Sequence, residues 1–474
     1  MILANNPHKN FLYFISFVAL LRLTLAPFVG LGVDEAHYVL YALNLDLSYF
    51  DHPPLVGWIQ YIFTSIFGTN EFGARVASII IGFATSVFIY KLIYDINKNT
   101  NEAFVAILAL HASFLFNALF LMLMPDTLLF LLILPIIFTV IEIEKNNKLS
   151  SWILLGILLG LAGLAKYTAV LFIVPIIIYI IIKKRYELFY TPKIIPSIII
   201  AFIIILPVII WNIQNDWSSF VYQSAHVVGS DTINWSGFAT SIAAQIGAYN
   251  PFLAPLAFYG LYKSLRSQNS TLFLTALFGL VLIVFFTYAS LYKPALPHWS
   301  ALFYMLFIPI GTYYMLKISK KYLKFAVAFG LILSTIAYAE LGFKFIPQPD
   351  YKSLHRDIYG WDTIMKKANE FVKDTDAIGV TNWTLASRAM YYNRDFDSKV
   401  YLIDARDDQF DVWQKEKPIG KDLIIINTDS FKKDIDAYMK CDKVIKHSEF
   451  DIMLSNSKVN TIELIRCKNY QGLK

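Results

Sequence analysis

Two runs limit what this chain can become: 125–142 (PDTLLFLLILPIIFTVIE) and 168–182 (TAVLFIVPIIIYIII). Both contain long stretches nearly free of charge, the signature of segments that cross a bilayer, where about 20 apolar residues span roughly 30 Å. A soluble globular protein carries about 25% charged residues, whereas here only 16% of 474 residues are charged and 57% are apolar. The chain is therefore a polytopic membrane protein. Its formal net charge of +6 bears on topology, with membrane lipids as partners and no nucleic acid. Lys9 precedes an apolar run from Phe11 to about Gly30 that is too long for a signal peptide and lacks a small-x-small cleavage site. It reads as a first transmembrane helix that stays.

The pattern predicts eleven transmembrane helices, near 11–31, 73–93, 102–121, 126–143, 152–166, 168–183, 194–211, 237–262, 271–290, 298–316 and 323–341. The segment 53–68 decides the topology. As a helix it is about 22 Å long, short of a core of roughly 30 Å. If it lies in the interface, Lys9, Lys91, Lys98, Lys145, Lys148, Lys183, Lys184, Arg185, Lys263, Arg266, Lys317, Lys320 and Lys321 all fall on one side. By the positive-inside rule that side is cytoplasmic. The opposite side then holds two long loops, 32–72 and 212–236. In the first, Asp34 suits a helix N-cap, and Pro53–Pro54 suits the start of a second short helix. In the other, Trp211, Trp217 and Trp235 suit a membrane interface.

After Leu341 the composition changes. Residues 342–474 mix charged and apolar positions, with strand-like runs at 377–380, 399–403, 422–426 and 461–465 and helical patterns at 361–373 and 383–392. The expectation is a transmembrane domain over 1–341 followed by an extracytoplasmic α/β domain over 342–474. Cys441 and Cys467 both fall in the latter; they could pair in an oxidising compartment or remain two thiols.

Under this topology the conspicuous polar residues at helix ends gather on the outer side: Asp34, Glu35, His37, Asp51, His52, Arg75, Asp126, Lys166, Lys293 and His298. A lone carboxylate at a helix end is often only a cap. Carboxylates together with cations on one face offer more, because the cations can hold a phosphate while a carboxylate takes a proton. Elsewhere bland readings compete. His111 and Asn117 read as polar groups satisfied by neighbouring helices, and His226 as a surface histidine. Arg22 reads either as the partner of a buried acid or as a contact for a phosphate.

The ordered set DEAHY (34–38), YFDHPPL (49–55), MPDT (124–127), GLAKYT (163–168) and PHWS (297–300), with WNIQNDW at 211–217, resembles the bacterial protein-mannosyltransferase-like glycosyltransferases. These group with the lipid A aminoarabinose transferase and the protein O-mannosyltransferases, all of the membrane GT-C fold. The resemblance runs from residue 11 to about 341. It implies transfer of a sugar from a polyprenyl-phosphate donor to a lipid A, glycan or protein acceptor on the outer face of a bacterial cytoplasmic membrane. Asp34 matches the acidic residue proposed as general base, Glu35 accompanies it, and Asp126 matches a second acid near the site. Asp51 and His52 stand where the aminoarabinose transferase has glutamate and lysine in an EKP context. His37 stands in place of an arginine. Phosphate binding thereby shifts toward Arg75, Lys166 or Lys293, with His52 and His298 beside them.

The implied chemistry is a single inverting displacement. Cations neutralise the phosphate leaving group, the acceptor attacks the anomeric carbon, and Asp34 removes the proton. No redox cofactor is needed, and no nucleotide-binding glycine motif is present. No metal site is assigned, although a divalent cation bridging Asp34, Asp126 and phosphate stays open. A flippase for a lipid-linked sugar is the alternative, but it should carry polar groups at mid-membrane or on both faces, and here they lie on one.

Overall fold

The structure is a computed structural model that describes residues 7–227, 232–346, 355–373, 376–454 and 456–474. In chain order its helices are α1 (Pro7–Leu25), α2 (Val33–Leu43), α3 (Leu55–Phe67), α4 (Glu71–Asn97), α5 (Thr100–His111), α6 (Phe114–Leu119), α7 (Pro125–Asn146), α8 (Leu149–Ala165), α9 (Ile173–Ile182), α10 (Glu187–Tyr190), α11 (Ile194–Gln214), α12 (Ser218–Val227), α13 (Trp235–Ala248), α14 (Ala254–Leu265), α15 (Ser270–Tyr292), α16 (Ala301–Met315), α17 (Lys320–Phe343), α18 (Trp361–Asn369), α19 (Trp383–Tyr392) and α20 (Gln409–Trp413). All eleven apolar segments form helix, but among the described residues six helices are long and apolar enough to cross a bilayer: α1 with the 3-10 turn after it, α4, α7, α11, α15 and α17. The others are shorter or interrupted. Residues 102–121 break after His111 into α5 and α6, and 237–262 break after Ala248 into α13 and α14. The segment 53–68 forms α3, whose 13 residues reach about 20 Å and fall short of a span.

The chain divides into two compact units. The helical unit comprises Met1–Thr24, Asp46–Ile59 and Arg75–Ala337; the sheet unit comprises Leu25–Leu45, Gln60–Ala74 and Tyr338–Lys474.

Within the helical unit, burial sorts the spans. The apolar window of α7 is 78% buried, whereas that of α11 is 17% buried and keeps Ile198, Phe202 and Ile203 exposed. α7 is thus a central helix, and α11 presents most of its surface to lipid. Small residues let backbones approach. A Cβ on Gly311 of α16 would stand 1.9 Å from the carbonyl oxygen of Leu256 on α14. Pro135 sits inside α7, where its missing N–H leaves the carbonyl of Leu131 without its usual helical donor; one turn on, Thr139 donates its hydroxyl to the Pro135 carbonyl at 2.7 Å.

The sheet unit contains β1 (Ala377–Val380), β2 (Val400–Leu402), β3 (Leu423–Thr428), β4 (Met439–Lys440), β5 (Lys443–Leu454), β6 (Ser457–Lys468) and β7 (Gly472–Leu473). Five form one sheet in the order β2-β1-β3-β6-β5, and β4 pairs with β7. β1 is parallel to β2 and β3, while β6 runs antiparallel to β3 and β5. The four strand-like runs are β1, β2, β3 and β6; β5 escapes sequence reading because its burial alternates irregularly between charged positions. Cys441 and Cys467 are joined in a disulfide with Cα atoms 5.4 Å apart. α2 packs in the same core as the sheet: Ala36, Val39 and Leu40 share it with Trp361, Leu385 and Ile424. Burying such side chains contributes about 1.5–3 kcal/mol each for the larger ones, which ties residues 25–45 firmly to this unit.

Two local expectations are corrected. Asp34 is not the N-cap of its helix. Gly32 holds that position and Asp34 is the second helical residue, because Glu35 reaches back to accept the Gly32 amide at 3.0 Å and sets where the helix begins. Trp211 is not at an interface. It is 1% exposed, and its indole donates to Asp46 Oδ2 at 2.9 Å, a partner that an indole in an apolar interior needs. Trp217 and Trp235 are exposed.

Candidate active site

The helical unit concentrates charge where α7 begins and α8 ends. Met124 is extended and Pro125 is the first helical residue, so Asp126 enters the first turn of α7. Lys166 is the C-cap of α8 and leaves the helix in an extended conformation. Its Nζ donates to both carboxylate oxygens of Asp126 at 2.7 Å. The side chains are 12% and 4% exposed, so the pair is largely out of water. Each helix supports its charge, since an N-terminus favours an anion and a C-terminus a cation. An ammonium has three donors, and Asp126 engages two, which leaves one for a ligand.

His298 lies on the 3-10 turn Pro297–Ser300 that leads into α16, close enough to feel the charges of both Asp126 and Lys166. That turn is held on both sides. Tyr249 donates to the Pro297 carbonyl at 2.7 Å, and Ser300 donates to Gln245 Oε1 at 2.8 Å. Asp126, Lys166 and His298, three of the residues singled out by sequence, are thus brought together.

The remaining candidates of this unit are placed separately. Arg75 is 1% exposed on α4, and its carbonyl accepts from Ser78. Lys293 is the C-cap of α15 and half-buried. Asp51 and His52 are half-buried in a turn closed by the Tyr49 amide donating to the His52 carbonyl at 3.2 Å. α12 fastens this turn: Ser219 donates to the Tyr49 carbonyl at 3.0 Å and Gln223 to the Asp51 carbonyl at 2.7 Å. Asp46, which sequence reasoning passed over, anchors the same stretch through Trp211 and through the Trp58 indole on its carbonyl at 3.0 Å. No local signal pointed to it, because its indole partner is 165 residues away.

Arg22 has a structural partner set. It is 2% exposed, donates to Asn117 Oδ1 at 3.1 Å, lies 3.4 Å from His111 Nδ1 and stands over the Phe120 ring. His111 also meets Ser86 at 3.1 Å, and Asn117 donates to Ser334 at 3.0 Å. The packed-polar reading of His111 and Asn117 holds. The side chain of His226 lies outside the described residues.

In the sheet unit, α2 carries the other acidic candidates. Asp34 is half-buried. Glu35 is 1% exposed and serves as the backbone anchor described above. His37 is 4% exposed; its Nδ1 is 3.2 Å from Ser387 Oγ, and its ring is enclosed by Tyr41, Trp383, Phe410 and Trp413. That environment gives His37, a site candidate of unspecified role in the sequence, a packing position between α2 and α19. A second buried pair escaped sequence reading: His355 Nε2 and Glu340 Oε1 are 2.8 Å apart, and Glu340 also accepts from the Ile346 amide at 2.8 Å. Among the described residues no three His, Cys, Asp or Glu side chains gather as a metal-ligand set.

A helical membrane unit with acid and base at one end of its helices, followed by a sheet-containing C-terminal region, defines the GT-C class of membrane fold. The crystal structure of ArnT from Cupriavidus metallidurans bound to undecaprenyl phosphate superposes with a TM-score of 0.68 over 96% of this chain and 97% of that one, at 13% identity. The apo form of the same protein gives 0.67 over 97% and 98%, at 12% identity. The family model described as dolichyl-phosphate-mannose-protein mannosyltransferase matches residues 51–211, in agreement with the resemblance drawn from the motifs. Lipid A galacturonosyltransferase RgtD of Rhizobium johnstonii is 24% identical over 253 residues, 50% of each chain. The chain thus spans about half the length of the curated relative it matches.

Proposed function

We propose that the protein is an inverting glycosyltransferase that moves a sugar from a polyprenyl-phosphate donor to lipid A or a related envelope glycan. The observation that carries this reading is the Asp126–Lys166 pair, bidentate at 2.7 Å, with His298 beside it. A preorganised cation in a water-poor site stabilises charge as it develops on a leaving phosphate. Asp126 holds Lys166 in place, and the third ammonium proton and His298 face the phosphate oxygens. Asp34, the half-buried acid at the start of α2, takes the proton of the attacking hydroxyl. Arg75, Lys293 and His52 complete the anionic donor's surroundings. The relatives support the substrate class: ArnT was crystallised with undecaprenyl phosphate, and RgtD is named for galacturonosyl transfer to lipid A. The sugar is a hexosyl or pentosyl group. A divalent cation could take the place of a cationic side chain between carboxylate and phosphate, and no step here requires one.

The positive loop residues support a topology with the N-terminus in the cytoplasm and the C-terminal domain outside it, in the inner membrane of a bacterium. The test is mass spectrometry of lipids and envelope glycans from cells with and without the protein. An acceptor lacking one sugar residue in the deletion, together with accumulated polyprenyl-phosphate sugar, is expected. Identical acceptor and donor pools would overturn the reading.

A further inference from the structure

A cleft of about 930 Å³ opens in the sheet unit where β1, β2 and β3 begin, within the size range of small-ligand sites. It lies among Asn369, Lys373, Phe396, Ser398, Lys399 and Lys421, with Asp376, Asp397 and Asp422 also at its wall. Its charges are unequally matched. Arg466 is 7% exposed and binds Asp376 at 2.9 Å and Asp422 at 3.5 Å, so its one charge offsets one of the two carboxylates. Lys373, Lys399 and Lys421 form no ion pair among the described residues. Among the described residues, those three ammoniums then face two uncompensated carboxylates, Asp397 and one of the Arg466 pair, which leaves the wall net positive by one. Arg466 Nε is buried with no hydrogen-bond partner, a donor that a ligand or water must satisfy.

The rest of the wall suits a sugar. Asn369 donates to Asn393 Oδ1 at 2.8 Å and accepts from Ser398 at 2.6 Å, which fixes a floor of amides and hydroxyl that can exchange hydrogen bonds with hydroxyl groups. Phe396 leaves 38% of its surface exposed at this otherwise polar site, an aromatic face against which the C–H face of a pyranose can lie. Gly420 closes the turn before β3 with φ +80°, and the space over its Cα is open.

We infer that this cleft binds a sugar bearing a phosphate, with the three lysines on the phosphate and Phe396 under the ring, and that it holds the headgroup of the acceptor. The second half rests on the glycosyltransferase reading above; the binding itself does not. Charge-assisted contacts to a phosphate are the stronger of the two interactions.

The test uses the full chain in detergent and saturation-transfer NMR with glucose 6-phosphate, glucose and inorganic phosphate as probes. Glucose 6-phosphate should bind at least tenfold more tightly than glucose. The triple variant Lys373→Gln, Lys399→Gln, Lys421→Gln should weaken it at least tenfold, and Phe396→Ala about threefold. Lipid A micelles should displace glucose 6-phosphate, whereas phosphatidylglycerol micelles should not, which distinguishes a phosphorylated glycan from an anionic lipid surface. Equal binding to wild type and triple variant overturns the site. Inorganic phosphate binding as tightly as glucose 6-phosphate, unaffected by Phe396→Ala, overturns its sugar specificity. In a transfer assay the triple variant should raise the acceptor KM at least tenfold and leave the donor KM unchanged. Asp126→Asn should abolish transfer yet keep glucose 6-phosphate binding, so the active-site reading and the cleft fail separately.

Discussion

The two helices that carry the candidate acids in their first turn, α7 and α2, use them differently. α7 opens on Pro125-Asp126, and its carboxylate is given wholly to Lys166. α2 opens on Val33-Asp34-Glu35, and there the two acids divide the work: Glu35 holds the helix start through the Gly32 amide, while Asp34 remains half-buried beside it. The first acid positions a cation and the second anchors backbone; the third is the one to which the proposed mechanism gives the acceptor's proton. Adjacent carboxylates in a motif therefore need not share a role.

The contrast can be broken most forcefully at Lys166. Lys166→Met leaves Asp126 buried without its cation, a change that costs on the order of 3–5 kcal/mol and should appear as a large drop in thermal midpoint with no residual transfer. The double variant Asp126→Leu, Lys166→Met should recover most of that stability and none of the transfer. Recovery of both would show that the pair only holds the fold. A smaller effect is expected from the Cys441–Cys467 disulfide, whose partners are 26 residues apart. On a chain-entropy basis its loss costs about 3 kcal/mol, measured as earlier unfolding of the sheet unit in denaturant after Cys441→Ser, Cys467→Ser.

Next is Asp408, the N-cap of α20. Burial pushes its carboxyl up to about 7, with Asp404 and Asp411 adding to the shift, and its Oδ2 is buried without a partner. A carboxyl raised in the folded state contributes stability that is complete below the unfolded value of 3.8 and is lost as pH rises through about 7. Asp408→Asn keeps the cap to the Phe410 amide. It should flatten the pH dependence between pH 4 and 8 and raise stability at pH 8 by on the order of 2 kcal/mol. An unchanged melting profile over that range would contradict the assignment. Smallest is Glu35→Gln, which retains an acceptor for Gly32 and should change stability by less than about 1 kcal/mol.

Much of this was legible in sequence because it is written locally. Apolar runs fixed the helices, the one-sided lysines separated α3 from the true spans, and alternation marked β1, β2, β3 and β6. Asp126, Lys166 and His298 were legible only among ten polar residues that the expected topology gathered on one side, and nothing in the sequence set these three apart from the rest. Elsewhere the decisive partner is far along the chain. Trp211 was read as an interfacial tryptophan because Asp46 is invisible from its own neighbourhood, and His37 stayed a general site candidate because Trp383, Phe410 and Trp413, which enclose it, lie more than 340 residues on. The break after His111 carries no proline at the turn and so left no warning, whereas the break after Ala248 is marked by Asn250-Pro251 and was missed. One miss was avoidable: Gly32-x-x-Glu35 has the spacing of a capping box, which would have moved the cap from Asp34 to Gly32.

The central claim, that Asp34 and not Glu35 removes the acceptor's proton, is tested most directly by transfer rates of Asp34→Asn and Glu35→Gln, reconstituted with a polyprenyl-phosphate sugar and lipid A, at matched thermal midpoints. Loss of a general base costs about 10²–10⁴-fold. The account predicts that loss for Asp34→Asn, and a rate within a few fold of wild type for Glu35→Gln. The reverse ranking, or wild-type transfer by Asp34→Asn, would contradict it.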